Sequence, residues 1–401
     1  MENKVVLPIA LQIVMDDIGW FNGRDTRCSE GPSRTGIPRK HVAEDYAVID
    51  AIGKSIGMKI NCPFVIGEWD KKNRLRGMPH ATYNEKGWDM AAEIDYAEAE
   101  RCFDVMESAE YLEYGFHGLL HGYWQDGISL ADQEFSYPRS LDYKTKYAHQ
   151  DLLTPVDNAY FESHIETFFK IYEDWGFKKK IRSFTSPSCV QGGIEANRHL
   201  TAMMKKYGML YWANAWREVK NLCEVIDGVI FINKAGSPRG IPWDAYGIDP
   251  DALPDYSFAY YDGVAHAERA VYGTHWPNFL QYNPKRNLDT VDAWTRHFKR
   301  QAEIFGLMLS KDIAFGASQA VYRKKANLNF VKDGLVIDLS DVDGAGAIGL
   351  SDTFHISMEK TLRPRILSGG TLSVYETKEA FDTYEIRRTG ESFVRLALDE
   401  R

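Results

Sequence analysis

Short apolar runs alternate with longer amphipathic stretches from the start of the chain to about Ala320. An apolar run bounded by turn residues is typical of a buried strand, and apolar positions three and four apart are typical of a helix packed against it. The predicted strands are Val5–Met15, Met58–Ile66, Leu112–His117, Ile181–Ser186, Met209–Ala213, Gly228–Asn233, Ala270–Trp276 and Asp312–Ala317. The predicted helices are His41–Gly57, Tyr96–Ala109, Asn158–Gly176, Gly192–Tyr207, Trp216–Cys223 and Leu288–Leu309. About eight strands with intervening helices predict an α/β fold, a distorted (β/α) barrel.

The pattern changes after Tyr322, where short strands are separated by turns rich in Gly, Asp and Ser. These strands are predicted at Leu328–Val331, Gly334–Leu339, Phe354–Met358, Thr371–Tyr375, Tyr384–Arg388 and Phe393–Leu398. Short runs joined by such turns indicate antiparallel pairing. We therefore expect two domains, a catalytic (β/α)-barrel domain over residues 1–322 and a small β-rich accessory domain over residues 323–401.

Composition and charge exclude several classes of function. Hydrophobic residues make up 44% of the chain and charged residues 26%, which is ordinary for a folded globular protein. The 48 basic and 57 acidic side chains give a net charge of -9, which argues against a nucleic-acid partner because such binding needs a concentrated positive face. The apolar run Val5–Met15 is too short to span a bilayer, so no membrane is expected as a partner. The sequence as given predicts a cytoplasmic protein, or a secreted one if a signal peptide has been removed.

The five cysteines are widely spaced and form no C-x-x-C pair: Cys28, Cys62, Cys102, Cys189 and Cys223. Neither a disulfide framework nor a thiolate zinc site is therefore expected. Cys189 has no demonstrable histidine partner, and we interpret it as an inert buried thiol rather than a nucleophile.

Two adjacent carboxylates, Asp16 and Asp17, directly follow the first predicted strand. The active sites of βα barrels lie at the carboxyl-terminal ends of the strands, so this is a position where catalytic residues are found. Neighbouring side chains at a strand end point in divergent directions, so one carboxylate can bind a metal while the other faces the reaction. Taken alone, the pair is equally consistent with an acidic turn.

Two histidines, His117 and His121, stand four residues apart in the segment HGLLH, which follows another predicted strand. One helical turn would bring both imidazoles to the same ion. The residue after His117 is glycine, so this is not the zincin motif, which needs a glutamate there. Two imidazoles and one carboxylate leave coordination positions open for water and substrate, which is the pattern of catalytic rather than structural zinc.

Together, Asp16-Asp17 and the HGLLH segment resemble the first two motifs of the polysaccharide deacetylase family, the nodulation-protein-B homology fold of carbohydrate esterase family four. The resemblance implies that Asp16 is the general base. It also implies that Asp17, His117 and His121 hold one divalent metal ion, zinc in the first place and Co, Ni or Mn otherwise. The family fold is a distorted (β/α) barrel, which agrees with the pattern of predicted elements.

The later family motifs match this chain at fewer positions. The family has an Arg-x-Pro segment whose arginine holds the base, whereas Thr185 occupies that place before Pro187 and Arg182 lies three residues earlier. Arg182 is predicted to face the substrate, and whether it also supports Asp16 is left open. The family ends on a strand with a histidine that serves as general acid. His275 ends an apolar run and is predicted for this role, with a packed histidine as the alternative.

Four aromatic side chains flank these motifs and are predicted to stack on a sugar ring: Trp20, Tyr123, Trp124 and Trp276. Core packing is the alternative for each of them. In the implied mechanism Asp16 takes a proton from attacking water and His275 delivers one to the leaving amine. A backbone amide near Pro187–Cys189 would stabilise the oxyanion together with the metal.

These inferences predict a metal-dependent hydrolase that deacetylates an N-acetylated sugar or glycan. Another hydrolase of C–N bonds, acting on a small or cyclic amide, is the alternative on the same fold. A glycoside hydrolase would instead need paired carboxylates, for which Asp16, Asp174, Asp244 and Asp262 are candidates. A non-catalytic glycan-binding protein is a further alternative. The sequence leaves open whether the protein forms a homo-oligomer.

Overall fold

The computed structural model describes residues 5–22, 37–131, 133–138, 153–188, 192–214, 216, 219, 222–235, 246–253, 269–304, 306–332 and 334–400. Several residues named in the sequence-based predictions lie outside these ranges: Cys28, Cys189, Asp244 and Asp262. No described helix is both long enough and apolar enough to cross a membrane.

The strands, in chain order, are β1 (Val5–Val6), β2 (Ala10–Asp16), β3 (Ile60–Phe64), β4 (Leu112–Phe116), β5 (Tyr123–Gln125), β6 (Ile128–Ala131), β7 (Ser136–Pro138), β8 (Leu153–Pro155), β9 (Ser183–Phe184), β10 (Tyr211–Asn214), β11 (Cys223–Ile226), β12 (Val229–Ala235), β13 (Val271–His275), β14 (Met308–Leu309), β15 (Asn327–Val331), β16 (Gly334–Asp338), β17 (Thr353–Glu359), β18 (Leu362–Ser368), β19 (Gly370–Thr377), β20 (Phe381–Arg388) and β21 (Phe393–Glu400). The α-helices are α1 (Ala43–Ile56), α2 (Met90–Glu93), α3 (Tyr96–Ser108), α4 (Asn158–Trp175), α5 (Gly193–Asn197), α6 (Leu200–Lys206), α7 (Val291–Ile304), α8 (Ile313–Lys325) and α9 (Ser340–Gly344). Short 3-10 helices span Gly67–Trp69, Pro250–Ala252, Trp276–Phe279 and Pro284–Thr290.

Seven parallel strands of the described chain close into a barrel in the order β2, β3, β4, β9, β10, β12, β13 and back to β2. Every residue of β2, β3 and β13 is buried, because one face of each strand fills the barrel and the other is covered by surrounding elements. The distorted (β/α) barrel predicted from the sequence is confirmed, and its seven strands fall within or beside the first seven predicted strands.

The eighth predicted strand, Asp312–Ala317, is wrong. Helix α8 begins there instead, and the Asp312 carboxylate accepts the N–H of Phe315 at 2.7 Å as a helix cap. Almost the whole of α8 is buried, and a short apolar run does not by itself distinguish a strand from a buried helix. The predicted helix over Trp216–Cys223 is also wrong at its end, because Cys223 begins strand β11.

Helix α4, which supports the loops at the barrel mouth, is bounded as the sequence predicts. The Asp157 carboxylate accepts the N–H of Tyr160 at 2.9 Å, which satisfies one of the free amides of the first turn. Gly176 ends the helix in the left-handed conformation, with φ of 81°.

Two four-stranded antiparallel sheets follow the barrel in the described part of the chain. One has the order β1-β17-β20-β19 and the other β15-β16-β21-β18, so the first strand of the chain is an edge of a carboxyl-terminal sheet. The predicted accessory β unit is therefore present. The sequence missed β18, in which two of the three exposed positions are arginines and the third residue is proline. The predicted boundary at residue 322 falls inside α8, and the division into two domains stays a prediction.

His355 of β17 is buried where this sheet packs against α8. Its ring meets those of Phe315 and Tyr375 edge-on, with centroids 4.8 and 4.3 Å away. Its Nε2 lies 3.5 Å from the Glu385 carboxylate, which also pairs with the Lys311 ammonium at 2.8 Å. Burial, reinforced by the nearby Lys311, lowers the pKa of His355 to about 4.

This burial predicts an acid-sensitive contact between the sheet and α8. An unfolded histidine has a pKa of about 6.5, so the unfolded chain binds more protons than the folded chain between that pH and about 4. The free energy of unfolding should therefore fall as the pH decreases from 7 to 5, by about 2 kcal/mol through this residue alone. Urea unfolding at both pH values should show a smaller loss for His355→Gln than for wild type. The exposed His199→Gln should behave as wild type, and equal losses in wild type and His355→Gln would contradict the prediction.

Candidate metal centre

The carboxyl-terminal ends of three barrel strands bring four of the predicted site residues together. Asp16 ends β2 and Asp17 follows it, His117 follows β4, and His275 ends β13. Strands β2 and β13 pair in parallel, with Asp16 directly opposite His275. Because parallel strands present their carboxyl ends at one face of the barrel, residues far apart in sequence meet at its mouth.

Among the described residues, Asp17, His117 and His121 form a buried group that can hold a metal ion, with ligand atoms within 4.8 Å of one another. The Asp17 Oδ1 atom lies 3.3 Å from His117 Nε2 and 3.4 Å from His121 Nε2. Ligand atoms about 2.0–2.1 Å from a tetrahedral zinc ion stand ~3.3 Å from each other, so these spacings fit a common cation. His117 Nε2 is buried and has no hydrogen-bond partner among the described residues, which also fits a metal ligand.

The His117 ring is oriented by the backbone of the next barrel strand. Its Nδ1 donates a hydrogen bond to the Thr185 carbonyl oxygen at 2.6 Å. A histidine that donates from one ring nitrogen presents the other as a neutral acceptor, which is the tautomer that a metal requires. Nε2 of His117 is accordingly directed towards Asp17.

The HGLLH segment is not helical, so the helical turn expected between His117 and His121 is wrong. The chain leaves β4 and turns sharply, with Gly118 at φ of 84° and His121 at φ of 58°. A compact loop therefore brings the two imidazoles together, with ring centroids 5.2 Å apart. The spacing of four residues therefore brings both imidazoles to one place, but through a loop rather than a helical turn.

Asp17 also has a left-handed backbone, with φ of 70°. Two residues later, Gly19 has φ of 107°, and a Cβ atom there would lie 2.3 Å from the Phe64 ring and from the Val65 carbonyl oxygen. The Gly19 carbonyl accepts the indole N–H of Trp69 at 2.7 Å. This turn bends the chain at the end of β2, so that Asp16 and Asp17 point to different partners.

Lys234 contacts Asp16 directly, and sequence reasoning missed it. Its ammonium donates to Asp16 Oδ2, and both side chains are buried. Asp16 Oδ1 has no hydrogen-bond partner in the described part of the chain. Lys234 belongs to β12, which is separated from β2 only by β13. Its position at the end of a predicted strand is the sequence feature that points to it.

His275 lies at the edge of the group, with Nε2 3.9 Å from Asp17 Oδ2. Its backbone N–H donates to the Asn278 side-chain oxygen at 3.3 Å, within the 3-10 turn that follows β13. The side chain is buried but close to the surface of the mouth. The structure thus brings His275, Asp16 and the three candidate ligands into one cluster, while their catalytic roles stay predictions.

Arg182 is not at this cluster. It precedes β9 and lies at the amino-terminal end of that strand, where its guanidinium donates to the Tyr211 hydroxyl at 3.0 Å. Asp16 lies at the carboxyl end of β2 and takes Lys234 as its partner instead. The two residues are at opposite strand ends, so the structure gives Arg182 no contact with Asp16.

Three of the aromatic residues predicted to stack on a sugar are fully buried: Trp20, Trp124 and Trp276. Trp276, for example, stacks on His41 with ring centroids 4.1 Å apart and donates to the Asp45 carbonyl at 3.0 Å. Tyr123 stacks on His80 with centroids 4.4 Å apart and keeps 8% of its surface exposed. The three tryptophans therefore pack in the core of this structure, as the alternative interpretation expected.

Asp174, one of the carboxylates that could pair with Asp16 in a glycoside hydrolase, takes other partners in the structure. Asp174, at the end of α4, forms ion pairs of 2.8 Å with both Lys72 and Arg74. The other two candidates, Asp244 and Asp262, lie outside the described residues.

Comparisons with known proteins find no matching family model and no matching curated protein. Among solved structures, the chain is similar to a candidate polysaccharide deacetylase from Mycobacterium smegmatis, with 10% identity and a TM-score of 0.40 over 80% of this chain and 93% of the other. A GH57-type branching enzyme from Pyrococcus horikoshii gives 12% identity and a TM-score of 0.33 over 76% and 69% of the two chains. An endogalactoceramidase gives 9% identity and a TM-score of 0.28 over 98% and 96%. These similarities are too low to support a functional argument, which must come from the site itself.

The close contacts of Gly19 predict that even alanine is not tolerated beside Asp17. Gly19→Ala should lower the free energy of unfolding by about 3 kcal/mol or more, because left-handed strain and steric overlap with Phe64 add up. Gly57→Ala is the matched control, since Gly57 has φ of 73° and open space where its Cβ would lie. Gly57→Ala should lower the free energy of unfolding by only about 1 kcal/mol, with both variants measured by urea unfolding. Equal losses in the two variants would show that packing at Gly19 does not constrain this turn.

Proposed function

We propose that this chain is a metal-dependent hydrolase of carbon–nitrogen bonds, and that it deacetylates an N-acetylated sugar or glycan. The observation that supports this most directly is the buried group of Asp17, His117 and His121, with Asp16 and His275 beside it. Two imidazoles and one carboxylate make a donor set typical of catalytic zinc. The choice of an acetamido substrate rests on the resemblance of the motifs that contain these residues to those of polysaccharide deacetylases.

The metal ligands and Asp16 have separate roles in the proposed reaction. When a divalent cation is bound by Asp17, His117 and His121, it supplies Lewis acidity, which polarises a carbonyl group and makes water more acidic. Asp16 accepts the proton of the attacking water at Oδ1, the oxygen that Lys234 does not occupy.

Lys234 orients the base in the proposed reaction, and His275 is the proton donor. The Lys234 ammonium fixes the orientation of the Asp16 carboxylate through a charge-assisted hydrogen bond. His275, on the neighbouring strand, donates a proton from its imidazole to the departing nitrogen. The burial of all these groups strengthens their electrostatic interactions by excluding bulk water from the reaction.

Metal content is the first test of this proposal. Purified wild-type protein should hold about one equivalent of zinc or cobalt, whereas His117→Ala and His121→Ala should hold only traces, because two ligands cannot retain the ion. Acetate release from N-acetyl sugars should disappear with chelator and return with added zinc, cobalt, nickel or manganese. His199→Ala, which removes an exposed histidine, is the control and should keep the metal. The same trace of metal in wild type and both ligand variants would rule the proposal out.

A second test separates the base from the metal ligands. Asp16→Asn should retain its metal and lose about 10²–10⁴-fold in kcat, the contribution typical of a general base. Lys234→Met should also retain the metal and lose about 10²-fold, because Asp16 is no longer held in place. Lys205→Met, at a half-buried lysine on α6 that donates to the Asp227 carbonyl oxygen, should match wild type in kcat. An Asp16→Asn variant with full kcat would remove Asp16 from the mechanism.

A further inference from the structure

Glu134 lies beneath the loop that carries His121. Its side chain is 1% exposed, and its carboxylate accepts the backbone N–H groups of three consecutive residues. The distances are 2.8 Å from Leu119, 3.1 Å from Leu120 and 2.8 Å from His121. Hydrogen bonds to a carboxylate are about twice as strong as neutral ones, so this contact holds the loop more firmly than an ordinary turn.

A helix outside the barrel holds the same carboxylate. His164, which is fully buried on α4, contacts Glu134 Oε1 through Nδ1 at 2.7 Å, and the same oxygen accepts the Leu119 N–H. The His164 ring packs against Tyr160, with centroids 4.2 Å apart, and against Phe135. Glu134 is therefore held by four donors, and the loop is linked through it to a rigid helix.

The loop is adapted to this contact and is held from its opposite side as well. A Cβ atom on Gly118 would lie 2.5 Å from Glu134 Oε2, so only glycine allows the carboxylate to approach so closely. The carbonyl oxygens of Gly118 and Leu119 accept hydrogen bonds from the N–H groups of Ile66 and Gly67, at 3.3 and 2.7 Å.

The two histidine ligands are thus oriented by different means. His117 is fixed through its own ring by the Thr185 carbonyl. His121 has a left-handed backbone, which costs a non-glycine residue about 1–2 kcal/mol, and its N–H is one of the three that bind Glu134. The hydrogen bond to Glu134 offsets this cost and keeps the backbone in the conformation that directs the imidazole to Asp17.

We propose that Glu134 is a positioning residue for the metal centre, acting on His121 through the main chain rather than through its ring. The inference rests on the proposed function, because it requires that Asp17, His117 and His121 bind a cation. It extends that function to a residue in the segment between β6 and β7.

Metal affinity tests this role. The dissociation constants for Zn²⁺ and Co²⁺ are measured by chelator competition on the full-length protein, for wild type, Glu134→Gln and Asp70→Asn. Asp70 is the matched control because it is a fully buried carboxylate that accepts two backbone N–H groups, from Arg74 and Leu75, and the Trp88 indole N–H. Glu134→Gln should bind both metals about 10–100-fold more weakly than wild type, as is usual when a group that orients a ligand is removed. Asp70→Asn should lose stability but keep its affinity within about twofold, since it does not contact the metal loop.

The outcomes distinguish the two proposals. Wild type that binds neither metal overturns the proposed function itself. Wild type that binds tightly, with Glu134→Gln no weaker than Asp70→Asn, leaves that function standing and overturns the role of Glu134. If Glu134→Gln does not fold, His164→Gln serves instead, because it keeps the carboxylate and removes its anchor on α4. It should weaken Zn²⁺ and Co²⁺ binding by about tenfold and change the absorption spectrum of the Co²⁺ form, and unchanged values for both also overturn the proposal.

Discussion

Parallel closure of the barrel is the constraint on which the rest of the structure depends. Because every strand of the ring runs in the same direction, all of the carboxyl ends open at one mouth. The in-register pairing of β13 with β2 sets His275 opposite Asp16, and β12 adds Lys234 from one strand further along. The loop after β4 supplies both histidines. A slip of one residue in any of these strands would turn its terminal side chain to the other face of the sheet.

Several carboxylates are buried at the mouth of the barrel, and each has specific polar partners. Asp16 pairs with the Lys234 ammonium, and Glu134 accepts three backbone N–H groups and contacts His164. Asp17 faces two imidazoles at distances that suit a shared cation. An isolated buried carboxylate costs several kcal/mol, so these partners are a condition for folding as well as for chemistry. The same contacts that allow the charges to be buried also fix their directions.

Backbone strain occurs at two of the candidate ligands. Asp17 and His121 both have positive φ, a region that residues with a side chain seldom adopt. Each is stabilised by neighbours, the first by the turn at Gly19 and the second by the hydrogen bond to Glu134. Such conformations persist where the surrounding structure imposes them, and they cluster at functional sites. The strain here is part of how the ligands are directed to a common point.

The sequence by itself determined the architecture, because hydrophobic periodicity follows directly from which face of an element is buried. It also located Asp16, Asp17, His117 and His121, since polar residues at the ends of apolar runs stand out locally. It did not identify Lys234 or Glu134: Lys234 follows a predicted strand, but the contacts that make both residues important exist only in the folded chain.

Tertiary structure alone decided the remaining questions. The short apolar run at the start of α8 suits a strand and a buried helix equally until its neighbours are known. Arg182 was the nearest arginine in sequence, yet the strand direction places it at the wrong end of the barrel to reach Asp16. Trp276 directly follows His275 but is enclosed by His41 and α1. Local sequence specifies most of the elements, whereas the structure of a short apolar segment and the partner of a side chain depend on residues distant in the chain.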